Sequence, residues 1–198
     1  MPSILTLSGS PIKGGSTEIL LGKIAEAITA NSADKSTIEP IRINDYHFIP
    51  CQSCGKSPEP DFCFFHDDIY PIYEKLINCD VVLFGSPIYF DSVSAQTKLF
   101  IDRCNCLRPA SFDEAEAHPF KKILTKQRLG GIVLVGGHRG EFELARKVIA
   151  GFFKWVDVTN CGLITFEVKG WGKGVVQNDL SKLSEAAALG KKIAGKLG

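Results

Sequence analysis

The chain has 198 residues, 44% of them hydrophobic, enough to bury one core of ordinary domain size. Its 23 basic and 22 acidic residues leave a net charge of +1, which excludes the electrostatic footprint of a nucleic-acid binder. No apolar run is long enough to span a bilayer, and the start of the chain lacks a basic region ahead of a signal-peptide core, so no membrane association is expected. Seven cysteines, an odd and scattered set, point to a reducing, cytoplasmic setting. No repeat or low-complexity tract divides the chain, and a single domain over 1–198 is expected.

Residues 3–21 run SILTLSGSPIKGGSTEILL. A short apolar run (Ile4, Leu5, Leu7) turns through Gly9 to Gly15 and enters an amphipathic helix at Ser16-Thr17. A buried strand that passes through a Gly-rich turn into a helix makes an anion site, because the first helical N–H groups lack partners and the helix dipole is positive there. Ser10, Ser16 and Thr17 add hydroxyl donors, and Lys13 offers a positive charge. A nucleoside-triphosphate loop requires a lysine just before its last Ser/Thr. Gly9 and Gly14 have that spacing, but Gly15 stands in the lysine position. The dinucleotide fingerprint G-x-G-x-x-G is missing too. What remains is a loop for a single terminal phosphate, such as the one FMN carries. A helix cap and a plain turn are the competing reading of the same residues, and the stretch taken alone favours the phosphate.

Beyond the loop, Ile19, Leu20, Ile24, Ala27 and Ile28 recur at helical spacing and predict a helix over 17–30. Residues 37–43 read as a strand that Pro40 confines to a sheet edge. Residues 45–68 form a long connection with Cys51, Cys54, Cys63 and His66, after which Asp67-Asp68 are expected to cap a helix reaching Asn78. Residues 80–85 (DVVLFG) are an unbroken apolar strand, the mark of a parallel strand covered on both faces, followed by Ser86 to Phe90 at its carboxyl end. Val93, Leu99 and Phe100 belong to a helix ending near Arg103, and residues 106–127 read as an irregular surface excursion. Residues 129–135 make the fourth strand, which ends in Gly136-Gly137-His138-Arg139-Gly140. A helix from Phe142 to Val156, a strand over 161–168 and a last helix from Leu180 to Leu197 complete the chain.

Strands alternating with helices imply a three-layer α/β/α fold, a doubly wound parallel sheet of five strands. Ligands of such sheets sit beyond the carboxyl ends of the strands. The loops 9–17, 85–90 and 136–141 are all placed there and would converge on one crevice.

That convergence resembles the flavodoxin-like NAD(P)H-dependent FMN reductases, close to their iron–sulfur flavoprotein branch. The matching stretches are GSPIKGGST at 9–17, DD at 67–68, FGSPIYFDSVSAQTKLFIDR at 84–103 and GGHRGE at 136–141. The resemblance implies strand order 2-1-3-4-5 and FMN held without a covalent bond. It implies that Ser10, Lys13, Gly15, Ser16 and Thr17 line the phosphate, with Ser16 where relatives commonly carry Asn. Pro87, Ile88, Tyr89 and Phe90 would lie along the flavin ring, and Gly136, Gly137 and His138 would pass its other side. No protein residue then needs to be a nucleophile or base, since the flavin carries the chemistry. The implied reaction is reduction by NAD(P)H and delivery to a quinone, another flavin, a metal ion or a redox partner protein. A non-enzymatic FMN electron carrier without a nicotinamide site is the alternative. A homodimer or homotetramer is implied as well.

Iron–sulfur flavoproteins hold a four-iron cluster with a compact run of four cysteines. This chain keeps Cys51, Cys54 and Cys63 but has Ser57 at the third position, and serine is a poor ligand for iron that selects soft thiolates. The expectation is no metal. Zinc on Cys51, Cys54, Cys63 and His66 is the competing reading, and its central spacing is tighter than that of common zinc modules.

Overall fold

The computed structural model describes residues 1–54, 58, 61–109, 122–137, 141–170 and 172–197. In chain order its elements are β1 (Ser3–Ser8), α1 (Ser16–Asn31), β2 (Thr37–Arg42), α2 (Tyr70–Asn78), β3 (Val81–Tyr89), β4 (Ser92–Val93) and α3 (Ala95–Arg103). Then come β5 (Leu107–Pro109), β6 (Lys122–Leu124), β7 (Arg128–Gly136), α4 (Phe142–Trp155), β8 (Val158–Glu167) and α5 (Leu180–Ala194). The five long strands are parallel and lie in the order β2-β1-β3-β7-β8, which is the expected 2-1-3-4-5 arrangement. β2, with Pro40 opposite Thr6, forms an edge.

Alternation along the strands sends successive side chains to opposite faces, so two cores form. Leu5, Leu7, Val82, Phe84, Ile132 and Leu134 pack with Tyr73 and Leu76 of α2, Phe100 of α3 and Phe152 of α4. Ile4, Val81, Leu83 and Val133 pack with Leu20, Ile24 and Ile28 of α1 and with Leu189 and Ile193 of α5. Burial on both faces explains why residues 80–85 read as an unbroken apolar run.

Three local expectations change. The third strand continues beyond Gly85, because Ser86 and Pro87 stay in register with Leu134 and Val135 of β7 while Ile88 and Tyr89 pair with β4. Phe90 and Asp91 close that hairpin with φ of 49° and 59°. The excursion over 106–127 starts and ends as the paired strands β5 and β6, and residues 110–121 lie outside the described residues.

Asp67 and Asp68 do not cap α2, whose N-terminus has no side-chain cap. They fasten the preceding loop instead. Asp68 Oδ2 accepts from the His47 N–H at 2.8 Å, and Asp67 Oδ2 accepts from the Ile49 N–H at 3.2 Å. Asp67 Oδ1 also accepts from Arg103 Nη2 at 3.1 Å. The same guanidinium donates to the carbonyls of Ile49 (2.8 Å) and Phe65 (3.3 Å) and lies 3.7 Å from Cys63 Sγ. Burial opposes the charge of Arg103, but its pairing with Asp67 outweighs burial and the pKa is raised.

A second buried arginine works at the opposite end of the sheet. Arg128, 1% exposed at the start of β7, donates to Val156 O at 2.7 Å and to Ile77 O at 3.3 Å. These carbonyls end α4 and α2, where a cation complements the negative pole of each helix. Burial lowers the pKa of Arg128, outweighing the opposing influence of Cys79 and Asp157. Arg128→Ala is expected to lower stability by about 2–4 kcal/mol, since it leaves a cavity and two buried carbonyls unpaired. Urea unfolding measures this, and an unchanged midpoint would contradict the anchoring role.

Candidate functional site

The loops that leave β1, β3 and β7 meet beyond the carboxyl ends of those strands, and a fourth loop after β8 joins them. They enclose a cleft of about 590 Å³.

The turn after β1 is held by its own hydroxyls. Ser8 Oγ accepts from the Ser10 N–H at 3.4 Å, and Ser10 Oγ accepts from the Ile12 N–H at 3.2 Å. Gly15, the N-cap of α1, provides no side-chain cap, and among the described residues no side-chain acceptor is bonded to the N–H groups of Ser16, Thr17 or Glu18 at the positive end of that helix. Ser16 Oγ accepts from the Val176 N–H at 3.4 Å. An accepting hydroxyl keeps its own proton for a further acceptor, so Ser10 and Ser16 remain donors toward the cleft. Ser10, Ser16 and Thr17 are all buried and line it. Glu18 Oε2 accepts from the Gly14 N–H at 2.7 Å, and Arg42 Nε lies 2.7 Å from Glu18 Oε1, which neutralises a carboxylate that would otherwise repel an anion here.

The turn is locked to the next loop through Ser94, the N-cap of α3. Ser94 Oγ donates to Gly9 O at 2.7 Å and accepts from the Thr97 N–H at 3.2 Å. Its own N–H donates to Ser86 Oγ at 3.0 Å. Residue 9 has to be glycine here, because a Cβ would lie 1.7 Å from Thr97 Oγ1 and 3.1 Å from Ser94 Oγ. The remaining lining is largely apolar: Pro87, Ile88 and Tyr89 from β3, Val135, Gly136 and Gly137 from the end of β7, and Val168 beyond β8. Tyr89 is 46% exposed at the mouth. Hydroxyls and unclaimed N–H donors thus stand at one end of a cleft whose other walls suit a flat apolar ring.

Nine expected residues come together in this lining: Ser10, Gly15, Ser16, Thr17, Pro87, Ile88, Tyr89, Gly136 and Gly137. Lys13 and Phe90 do not. Lys13 is exposed on the turn, and Phe90 is fully exposed at the tip of the β3–β4 hairpin. His138 and Arg139 lie outside the described residues. Sequence reasoning missed Gly170, Gly172, Lys173 and Gly174, which also line the cleft. The signal was present, since a glycine-rich loop with a lysine leaves the carboxyl end of a strand there just as at residue 9.

The cysteines of the 45–68 loop are dispersed. Cys63 is buried against Arg103, Cys51 is half-buried and Cys54 is exposed. His66 stacks on Tyr70 with ring centroids 4.2 Å apart and lies 3.4 Å from Asp61. Among the described residues, no three His, Cys, Asp or Glu side chains are gathered as a metal site. Burial pushes the Cys106 thiol up to about 12 and the Cys104 thiol well above its ordinary value, so neither readily becomes the thiolate that metals require.

The architecture is that of known flavodoxin-like proteins. A flavodoxin from the domain Archaea aligns with a TM-score of 0.57 at 15% identity, over 98% of this chain and 97% of that one. An iron–sulfur flavoprotein of Methanocaldococcus jannaschii is 31% identical over 198 residues, covering 96% of this chain and 95% of the relative. One from Methanosarcina thermophila is 29% identical over 155 residues, covering 78% and 73% of the two chains. The model of the NADPH-dependent FMN reductases matches residues 2–171, and the chain belongs to that family of FMN-binding oxidoreductases.

Proposed function

We propose that the cleft holds FMN, with its phosphate on the 10–17 turn and its ring along Pro87, Ile88, Tyr89, Gly136 and Gly137. The protein would then use NAD(P)H to reduce the flavin and serve a quinone, flavin, metal or redox-protein acceptor. One observation carries the reading: the uncapped start of α1 and the buried hydroxyls of Ser10, Ser16 and Thr17 stand at one end of an apolar cleft of about 590 Å³. FMN, when bound, accepts a hydride and gives it up as hydride or as single electrons. The chain's part is to bind, orient and shield. The hydroxyls and first-turn N–H groups of α1 hold the phosphate oxygens. The backbone of Ile88 and Tyr89 offers polar groups to the ring edge, and the exposed Gly137 leaves one side open to a donor or acceptor.

Mixing the FMN-loaded protein anaerobically with NADPH or NADH is expected to bleach the visible flavin band. If dithionite bleaches it and neither nicotinamide does, the protein is an electron carrier. Removing the Ser16 and Thr17 hydroxyls together is expected to weaken FMN binding by about 2–3 kcal/mol, the scale of hydrogen bonds to a charged group. Fluorescence titration measures this, and unchanged affinity would displace the phosphate from the turn.

The reading includes no iron–sulfur cluster, in contrast to what the relatives' names state. Ser57 stands at the third cysteine position, and Cys63 faces the Arg103 guanidinium. Elemental analysis of protein purified without chelators is expected to find neither iron nor zinc. About four irons with sulfide per chain would overturn this, as would about one zinc.

A further inference from the structure

The geometry points to Lys173, on the loop after β8, as the cation that pairs with the cofactor's phosphate, a place the sequence alone offers to Lys13. This rests on the FMN reading. A phosphomonoester carries nearly two negative charges at neutral pH, whereas the turn supplies uncharged donors. The carboxylate closest to it, Glu18, is already paired with Arg42. The site therefore calls for a positive side chain, and two lysines are near enough in sequence or space to be considered.

Both lysines are exposed, but Lys13 lies outside the cleft lining. Lys173 lines the cleft, and its chain lies against the phosphate turn. A Cβ added to Gly14 would meet Lys173 Cε at 3.4 Å and Nζ at 3.6 Å. The chain that follows Lys173 is anchored to the same turn. Gly174, with φ of +64°, sits so close that a Cβ there would lie 3.0 Å from Gly14 O. Two residues on, the Val176 N–H is bonded to Ser16 Oγ at 3.4 Å. Among the described residues no carboxylate forms an ion pair with Lys173, so its charge is available. The residue lies just past the 2–171 span that the family model matches. The two ends of the chain thus meet at the phosphate, the first giving hydroxyls and N–H groups and the last giving the charge.

The test is fluorescence titration of the flavin-free full chain with FMN and with riboflavin, which has the same ring and no phosphate. Wild type, Lys173→Gln, Lys173→Arg and Lys13→Gln are compared at low and high salt. Lys173→Gln is expected to weaken FMN about three- to fivefold, as befits one exposed charge pair. It should leave riboflavin affinity unchanged and flatten the salt dependence of FMN binding. Lys173→Arg should keep most of the affinity, and Lys13→Gln should match wild type. The inference falls if Lys173→Gln binds FMN as wild type does, if it loses riboflavin equally, or if Lys13→Gln carries the loss. Those outcomes leave the FMN reading standing. A wild-type protein that binds neither flavin overturns both.

Discussion

The hydrogen bond from Ser94 to the carbonyl of Gly9 is the contact on which the site depends. At 2.7 Å it joins the turn after β1 to the first residue of the α3 cap, and the same oxygen accepts from Thr97. Through its own N–H, Ser94 also fixes Ser86 of β3. One buried hydroxyl therefore sets the spacing between the turn that bears the hydroxyl donors and the strand that supplies the apolar wall. Each bond contributes only about 1 kcal/mol. Their joint effect is geometric, since the glycine at 9 lets the two backbones approach closely enough for all of them to form.

Elsewhere the fold relies on arginines that bond mainly to carbonyls. Arg103 ties α3 to Ile49, Phe65 and Asp67, and so shapes a long loop that has little secondary structure of its own. Arg128 closes the ends of α2 and α4 beneath the sheet. The planar guanidinium reaches several acceptors at fixed angles, which a lysine would not reproduce. Positive charge thus fastens carbonyls at the amino end of β7, while helix N–H groups and hydroxyls stand ready at the carboxyl ends of the strands.

Much of this was legible in the sequence. The apolar run at 80–85, the 3.6-residue periodicity of the helices and Pro40 at an edge predicted a parallel sheet covered on both faces, because such strands leave a strong local signature, whereas the strand order followed from the family resemblance. The turn at 9–17 was legible for the same reason, as its chemistry is contiguous. The rest depends on partners far apart in the chain. Asp67-Asp68 look like a helix cap, yet a partner 36 residues away, Arg103, claims Asp67. Phe90 looks like part of the ring wall, but the two left-handed residues that close its hairpin leave it fully in solvent. Lys173 follows a strand and two glycines, and only the folded chain brings it back to residue 14.

The cleft lining runs from Ser10 to Gly174, so it joins an early turn to a loop that is made much later. On the ribosome, the early turn must wait for β8 and the loop after it before its outer wall exists. At ordinary rates of elongation that interval is roughly 10–30 seconds. Early in it β1 lacks β3 on one side, and throughout it the apolar face of α1 lacks α5. A nascent chain is therefore exposed to misassociation over that interval, and any ligand that bridges the turn and the later loop can capture the chain only once both have been made.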